Sequence, residues 1–135
     1  MTKYIPFFVL FLALLYACSD DSGSNSLEPT FTDVYEEILS VRCAKSGCHL
    51  DSRTPAMTSA QATYDNLVGR ASSHGLNYIQ PGSPDSSYLY LKIIPDDIGR
   101  QGTARMPRDG ENTGYLSTSQ IETIRDWILD GAENN

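Results

Sequence analysis

The chain is short of histidine, cysteine and basic residues. Its 135 residues include two His, three Cys and one Trp, and ten Lys and Arg stand against seventeen Asp and Glu, for a formal net charge of −7 at pH 7. A nucleic-acid-binding protein usually carries a basic patch or stripe, so this balance argues against nucleic acid as a partner. A catalytic Ser–His–Asp set also becomes hard to assemble once one of the two His has another role.

Long apolar runs are lacking as well. The apolar run over residues 4–17 is shorter than the roughly 20 residues that a transmembrane helix needs. Because Lys3 precedes it, the run is typical of a secretory signal. Its end, Leu15-Tyr16-Ala17-Cys18, resembles the lipobox of bacterial lipoproteins, which predicts a lipoprotein signal peptide over 1–17 and lipid on Cys18. The alternative is an ordinary cleaved signal followed by an incidental Cys.

The segment after Cys18 is small, polar and acidic, and it cannot bury enough surface to fold. Residues 18–29 are therefore predicted to form a lipidated Cys with a flexible acidic tether, followed by one domain over 30–135. Ser19 after the Cys resembles a sorting signal, so we expect an outer-membrane anchor on the periplasmic or cell-surface side. Cleavage removes a lysine and leaves the protein more acidic, which favours a partner with a basic docking patch.

The most informative stretch is Cys43-Ala-Lys-Ser-Gly-Cys48-His49, which reads C-x4-C-H. The standard motif for covalent haem attachment is C-x-x-C-H, and the gap here is two residues longer. Each thiol of such a motif adds to one vinyl group of a haem, and the following His is held under the ring, where its imidazole binds iron. A plain disulfide between Cys43 and Cys48 would leave the adjacent His49 unexplained.

Helices joined by long loops are predicted for the rest of the domain. Apolar residues at helical spacing and N-cap signals place helices over about 31–41, 59–68, 84–91 and 118–129. The Gly-rich stretch 96–115 is predicted to be a loop, which at this length in a compact domain is usually functional. No segment shows convincing strand alternation, so the predicted fold class is all-α, with about four short helices.

A low-spin haem needs two axial ligands, of which His49 supplies one. Met106 is the predicted second ligand, because Pro107 fixes its own φ and stiffens the loop beside the thioether. Met57 lies close to His49 in the sequence and is interpreted as a packing residue, and His74 is interpreted as a solvent-exposed residue. His74 or an open sixth position is the alternative to Met106, which could also be a core methionine.

Together these features resemble the monohaem c-type cytochrome domain, in a small exported bacterial form with a stretched attachment motif. The likeness covers residues 30–132 and includes the Ala-Arg-Met-Pro loop and the Trp-bearing last helix. It implies a cytochrome c-like fold around one covalently bound haem c, with the first and last helices crossing beside Trp127. It also implies thioethers at Cys43 and Cys48, with His49 as the proximal and Met106 as the distal iron ligand. The implied function is transfer of single electrons to a redox partner rather than catalysis.

Four residues are candidates to hold the haem propionates: Tyr78, Gln80, Arg100 and Arg105. Three other interpretations of the site stay open. One is a haem enzyme or sensor with an open sixth position, and another is a haem-free interaction module stapled by a Cys43–Cys48 disulfide. The third is a structural zinc site, which wants four Cys or His ligands and would require His74 as the fourth.

Overall fold

The structure is a computed structural model that describes residues 26–51, 53–96 and 103–135. The predicted signal peptide, the lipidation site Cys18, most of the tether and Arg100 lie outside the described residues. Within the described ranges, none of the helices has the length and apolar character needed to cross a membrane.

Helix α1 covers residues 31–42 and confirms the first predicted helix. It consists of three successive stretches, α-helical Phe31–Asp33, π-helical Val34–Leu39 and α-helical Ser40–Arg42. Thr30 caps its start, because the hydroxyl of Thr30 accepts a hydrogen bond from Asp33 N at 3.2 Å. The π-helical stretch was not predicted, and such irregularities are frequent at functional sites.

The other predicted helices form close to their expected positions, although the helix predicted over about 84–91 is divided into a 3-10 turn and a later helix. Helix α2 (Ala60–Leu67) follows Ser59, whose hydroxyl accepts from Ala62 N. A 3-10 turn (Pro84–Ser86) has Pro in its first turn and leads into α3 (Tyr88–Ile93). Helix α5 (Thr118–Leu129) starts with a complete capping box formed by Ser117 and Gln120.

The predicted loop 96–115 contains one short helix, α4 (Gly110–Thr113). Its single turn forms because the carbonyl oxygen of Asp109 accepts from Asn112 N and Thr113 N, both at 2.9 Å. The prediction that this stretch is entirely loop is therefore wrong at these residues. β pairing in the described ranges consists of isolated bridges, which join 68 to 79, 71 to 77 and 77 to 87. The all-α prediction is confirmed at this level.

The core forms where α1 packs against α5. The Phe31 ring lies 5.6 Å from the Trp127 ring and 5.1 Å from the Tyr64 ring, edge-on to the latter. The chain end also closes on α1, since Phe31 N donates to Asn135 Oδ1 at 2.9 Å. Burying aromatic rings is among the largest apolar contributions to folding. This packing fixes α1, and with it the position of the residues that follow Arg42.

Two neighbouring residues of α5 test this packing. Ile128 is fully buried, whereas Leu129 is 52% exposed. Replacing Ile128 by Ala should lower the free energy of unfolding by about 2–5 kcal/mol, because a buried side chain is lost and a cavity remains. Leu129→Ala should change it by less than about 0.5 kcal/mol. Denaturant unfolding measures both, and equal losses would contradict the orientation of α5.

Candidate functional site

A cavity of about 300 Å³ lies between α1, α3, α5 and three loops, which carry the C-x4-C-H motif, His74 and Met106. Its volume is at the lower end of the range of about 300–1,000 Å³ that small-molecule and cofactor sites occupy. The apolar part of its lining includes Leu39, Leu89, Ile93, Leu116 and Ile124. Cys43, His49, Met57, His74 and Met106 line the same cavity.

A smaller cavity of about 50 Å³ adjoins the first, since Cys43, His49 and Met106 line both. Cys48 lines the smaller cavity and is exposed to solvent, whereas Cys43 is half-buried. The structure therefore brings the four predicted cofactor residues together, although Met106 lies far along the chain from the motif.

The motif leaves the end of α1 in a series of turns. Cys43 N donates to Leu39 O at 2.9 Å, which continues the helical hydrogen bonding up to the first thiol residue. Cys48 N then donates to Lys45 O at 2.9 Å, and His49 N donates back to Cys43 O at 3.3 Å. The backbone of His49 consequently lies beside the first Cys of the motif.

Asp51 holds the middle of the motif. Its carboxylate accepts hydrogen bonds from Ser46 Oγ and from Gly47 N, each at 2.9 Å. Gly47 has a φ of 77°, in the left-handed region where a side chain would strain the backbone. The long gap between the two thiols is therefore taken up by a turn that depends on glycine at 47 and on the carboxylate at 51.

The imidazole of His49 has a fixed hydrogen-bond partner. Its Nδ1 lies 2.8 Å from the carbonyl oxygen of Pro55. A carbonyl oxygen only accepts, so Nδ1 carries a proton, and in the neutral imidazole Nε2 then has the lone pair. Metal-binding histidines almost always donate their second ring nitrogen in this way, which fixes the tautomer and the orientation of the ring. The backbone supports the same geometry, because Met57 N donates to His49 O at 2.7 Å.

The two thiols differ in environment. Burial raises the pKa of the Cys43 thiol from 9.0 to about 11, and the nearby Arg42 opposes this rise only in part. A thiol with so high a pKa stays protonated at neutral pH and is a poor nucleophile. The sulfur atoms of Cys43 and Cys48 are not joined by a disulfide in the structure.

The loop of Met106 is tied to α3. Met106 N donates to Lys92 O at 2.7 Å, and Arg105 Nε donates to Ile93 O at 2.7 Å. The buried ammonium of Lys92 donates to Thr103 Oγ1 at 2.7 Å and to the carbonyl oxygen of Ala104. These bonds hold the segment before Pro107 against a helix, so that Met106 lines both cavities.

Met57 and His74 occupy different parts of the large cavity wall. Met57 is 3% exposed and belongs to the hydrophobic core, in agreement with its interpretation as a packing residue. The prediction that His74 is solvent-exposed is wrong. Its ring is half-buried and stacks on Tyr88, with 4.6 Å between ring centroids and 24° between ring planes. The sequence around His74 is polar, and the stacking depends on a helix that the local sequence does not reveal.

Of the propionate candidates, Tyr78 lines the cavity, and burial raises its pKa. Gln80 accepts from Asn77 Nδ2 at 2.8 Å, and the guanidinium of Arg105 lies over the Tyr115 ring at 4.2 Å. Gln80 and Arg105 do not line the large cavity.

Sequence reasoning missed two cations in the cavity wall, Lys92 and Arg108. Arg108 could have been suspected from its place two residues after Met106. Lys92 stands one helical turn after Tyr88 in α3, and this spacing places both on one face. A lysine in a short apolar helix indicates that the aliphatic part of its side chain is buried and that its ammonium contacts polar groups.

A structural zinc site finds no support among the described residues. Such a site takes four Cys or His ligands, and the described ranges hold no group of three or more His, Cys, Asp or Glu side chains placed to bind a metal ion. A haem iron needs fewer protein ligands, because the macrocycle supplies its other donors and the chain adds one or two axial ligands. His49 with one thioether is a sufficient set.

Comparisons with protein-family models, with curated proteins and with solved structures give no match for this chain. The chemistry of the site therefore has to be inferred from its own donor atoms and their surroundings. Those atoms belong to two thiols, a thioether and an imidazole whose Nδ1 donates to Pro55 O, and a mainly apolar cavity lies beside them.

The raised pKa of Cys43 predicts slow alkylation. In haem-free protein with Cys18 and Cys48 replaced by Ser, the iodoacetamide rate of Cys43 should rise with pH up to about 11, because the thiolate is the nucleophile. At pH 8 the rate should lie about 100-fold below that in 6 M urea, as a shift of two pKa units requires. A half-maximal rate near pH 9 in the folded protein would contradict the burial of this thiol.

Proposed function

We propose that the chain is an exported c-type cytochrome that carries single electrons through one covalently attached haem. Cys43 and Cys48 form the thioethers, His49 is the proximal iron ligand and Met106 is the distal ligand. The domain adopts a cytochrome c-like fold, and lipid on Cys18 anchors it to the outer membrane, on its periplasmic or cell-surface side. The signal-like segment 1–17 supports the anchor, and the packing of α1 on α5 supports the fold.

One observation carries the proposal: His49 lines an apolar cavity together with Met106, and its Nδ1 donates to Pro55 O at 2.8 Å. A histidine held only for packing has no need of a defined tautomer. The hydrogen bond leaves Nε2 as the coordinating atom and raises its basicity. The preceding residue of the motif, Cys48, keeps a cofactor joined to its sulfur close to that ring.

The residues around the cavity fit a flat apolar group with acidic substituents. Aliphatic side chains from α1, α3 and α5 exclude water from it. The hydroxyl of Tyr88 lies 3.3 Å from Thr103 Oγ1, which accepts from Lys92 Nζ, and all three residues line the cavity. This polar cluster offers donors for carboxylates, and a charged acceptor strengthens such hydrogen bonds.

Covalent attachment needs no oxidant. Cys43 and Cys48 would hold the haem through thioethers, since each Sγ–H would add across a vinyl double bond, with sulfur bonded to one carbon and the proton to the other. Once bound, haem supplies an iron that alternates between the ferric and ferrous states. A thioether as second ligand raises the reduction potential compared with a more basic ligand. Burial and hydrogen bonds around the ligands adjust it further.

The attachment residues provide the first test. The full chain, exported in a host with haem-attachment machinery, should carry haem that survives a denaturing gel and should give sharp low-spin bands on reduction. Cys48→Ala or His49→Ala should abolish stable holoprotein, because a covalent link or the proximal ligand is lost. Lys45→Ala, inside the same motif, is the control and should retain haem. A folded wild-type protein without haem would overturn the proposal and leave the disulfide-stapled module.

The distal ligand is tested by two matched substitutions. Met106→Leu should keep the covalent haem but convert it to a high-spin form with a lower reduction potential, because the volume is preserved while the sulfur is removed. Met57→Leu, in the wall of the same cavity, should leave both the spectrum and the potential nearly unchanged.

Absorption spectra and redox titrations of the two variants measure the difference. A wild-type spectrum from Met106→Leu would reject Met106 as ligand. His74→Ala should then be examined, because His74 lines the same cavity. A wild-type protein that is already high-spin would favour a haem enzyme or sensor with an open sixth position.

A further inference from the structure

Basic side chains are concentrated around Cys48, although the chain is acidic overall. Arg42, Lys45, Arg53 and Arg108 line the smaller cavity with Cys48, and we call these four residues the basic rim. Among the described residues that line this cavity, Asp109 is the one carboxylate. The rim thus holds four of the ten Lys and Arg of the whole chain at one place.

The rim keeps most of its positive charge toward solvent. Lys45, Arg53 and Arg108 are exposed, as is Cys48 itself. Asp109 lies 3.7 Å from Lys45 Nζ and offsets one charge. No described carboxylate lies within ion-pair distance of Arg53 or Arg108.

Asp51, in the turn of the motif, and Asp109 are acidic side chains near the rim, and other acidic side chains lie elsewhere. Glu36 and Glu37 are exposed in the first half of α1, Asp65 is exposed on α2, and Glu122 is exposed on α5. None of these four lines either cavity. Near the motif, the four basic side chains of the rim therefore exceed the two carboxylates of Asp51 and Asp109.

We propose that the basic rim is the docking surface for an acidic face of the electron-transfer partner. The inference rests on the proposed function, because Cys48, which would hold the haem through a thioether, is exposed and lines the same cavity as the rim. Electrostatic interactions between exposed charges are screened over about 8 Å at physiological ionic strength. A partner docked at the rim therefore interacts chiefly with the positive charges of the rim, which favour an acidic face. The net charge of the whole chain would instead predict a basic partner.

Two oxidants of opposite charge test the docking surface on holoprotein. Ferrous protein is mixed with hexacyanoferrate(III), an anion, or with tris(phenanthroline)cobalt(III), a cation, over a range of ionic strength. We expect the rate with the anion to fall as salt rises, because attraction to the rim is screened. We expect the rate with the cation to stay level or rise.

A pair of charge-matched double variants separates the rim from the net charge. Arg53→Glu/Arg108→Glu should lower the rate with hexacyanoferrate(III) at low salt by about tenfold or more, within the range known for electrostatic steering. Arg70→Glu/Arg125→Glu changes the net charge equally at residues that line neither cavity, and it should lower the rate less than threefold. Reduction potentials of all three proteins correct the rates for driving force.

The outcomes distinguish the two proposals. Protein without covalent haem overturns the proposed function and the docking surface with it. Haem-bearing protein overturns the docking surface alone if the two double variants slow the reaction equally. The same holds if the wild-type rate with the anion rises with salt, in which case a basic partner is the correct expectation.

Discussion

The hydrogen bond from His49 Nδ1 to the carbonyl oxygen of Pro55 is the interaction on which the site depends. It selects one tautomer of the neutral imidazole, orients the ring and leaves the lone pair on Nε2. The bond exists because the chain reverses after His49, and Met57 N closes the reversal by donating to His49 O. The segment between the motif and α2 therefore supports the imidazole of His49.

The support is rigid only because α1 is held in place. Phe31 packs on Trp127, and the last residue of the chain binds the first turn of α1. Cys43 follows directly on this helix, so the core fixes the first thiol and the turn held by Asp51 then sets the position of the second. On the other side, α3 holds the loop of Met106 through backbone and side-chain hydrogen bonds. The cavity is thus held from two sides, by the packing of α1 on α5 and by the hydrogen bonds of the Met106 loop to α3.

The parts of the fold that local sequence controls were predictable. The capping box of Ser117 and Gln120 marks the start of α5, because side-chain oxygens satisfy backbone N–H groups three residues away and no distant contact needs to assist. The motif predicted which residues would gather, because the spacing of two thiols and an imidazole is itself local. The position of His74 was not predictable, since its stacking partner Tyr88 belongs to another element. The turn of α4 was missed for a different reason, because its hydrogen bonds to Asp109 O are local but lie inside a Gly-rich stretch.

The distribution of charge on the surface is the feature that composition predicts least well. A net charge of −7 describes the field far from the molecule, and it disfavours nucleic acid as a ligand. Close to the surface, the arrangement of individual charges determines the electrostatic potential, because screening removes contributions from beyond about one Debye length. The residues of the basic rim come from α1, the motif, the segment after it and the Met106 loop. Only the fold that brings Cys48 and Met106 to one site also brings these cations together, so the rim and the site have the same structural origin.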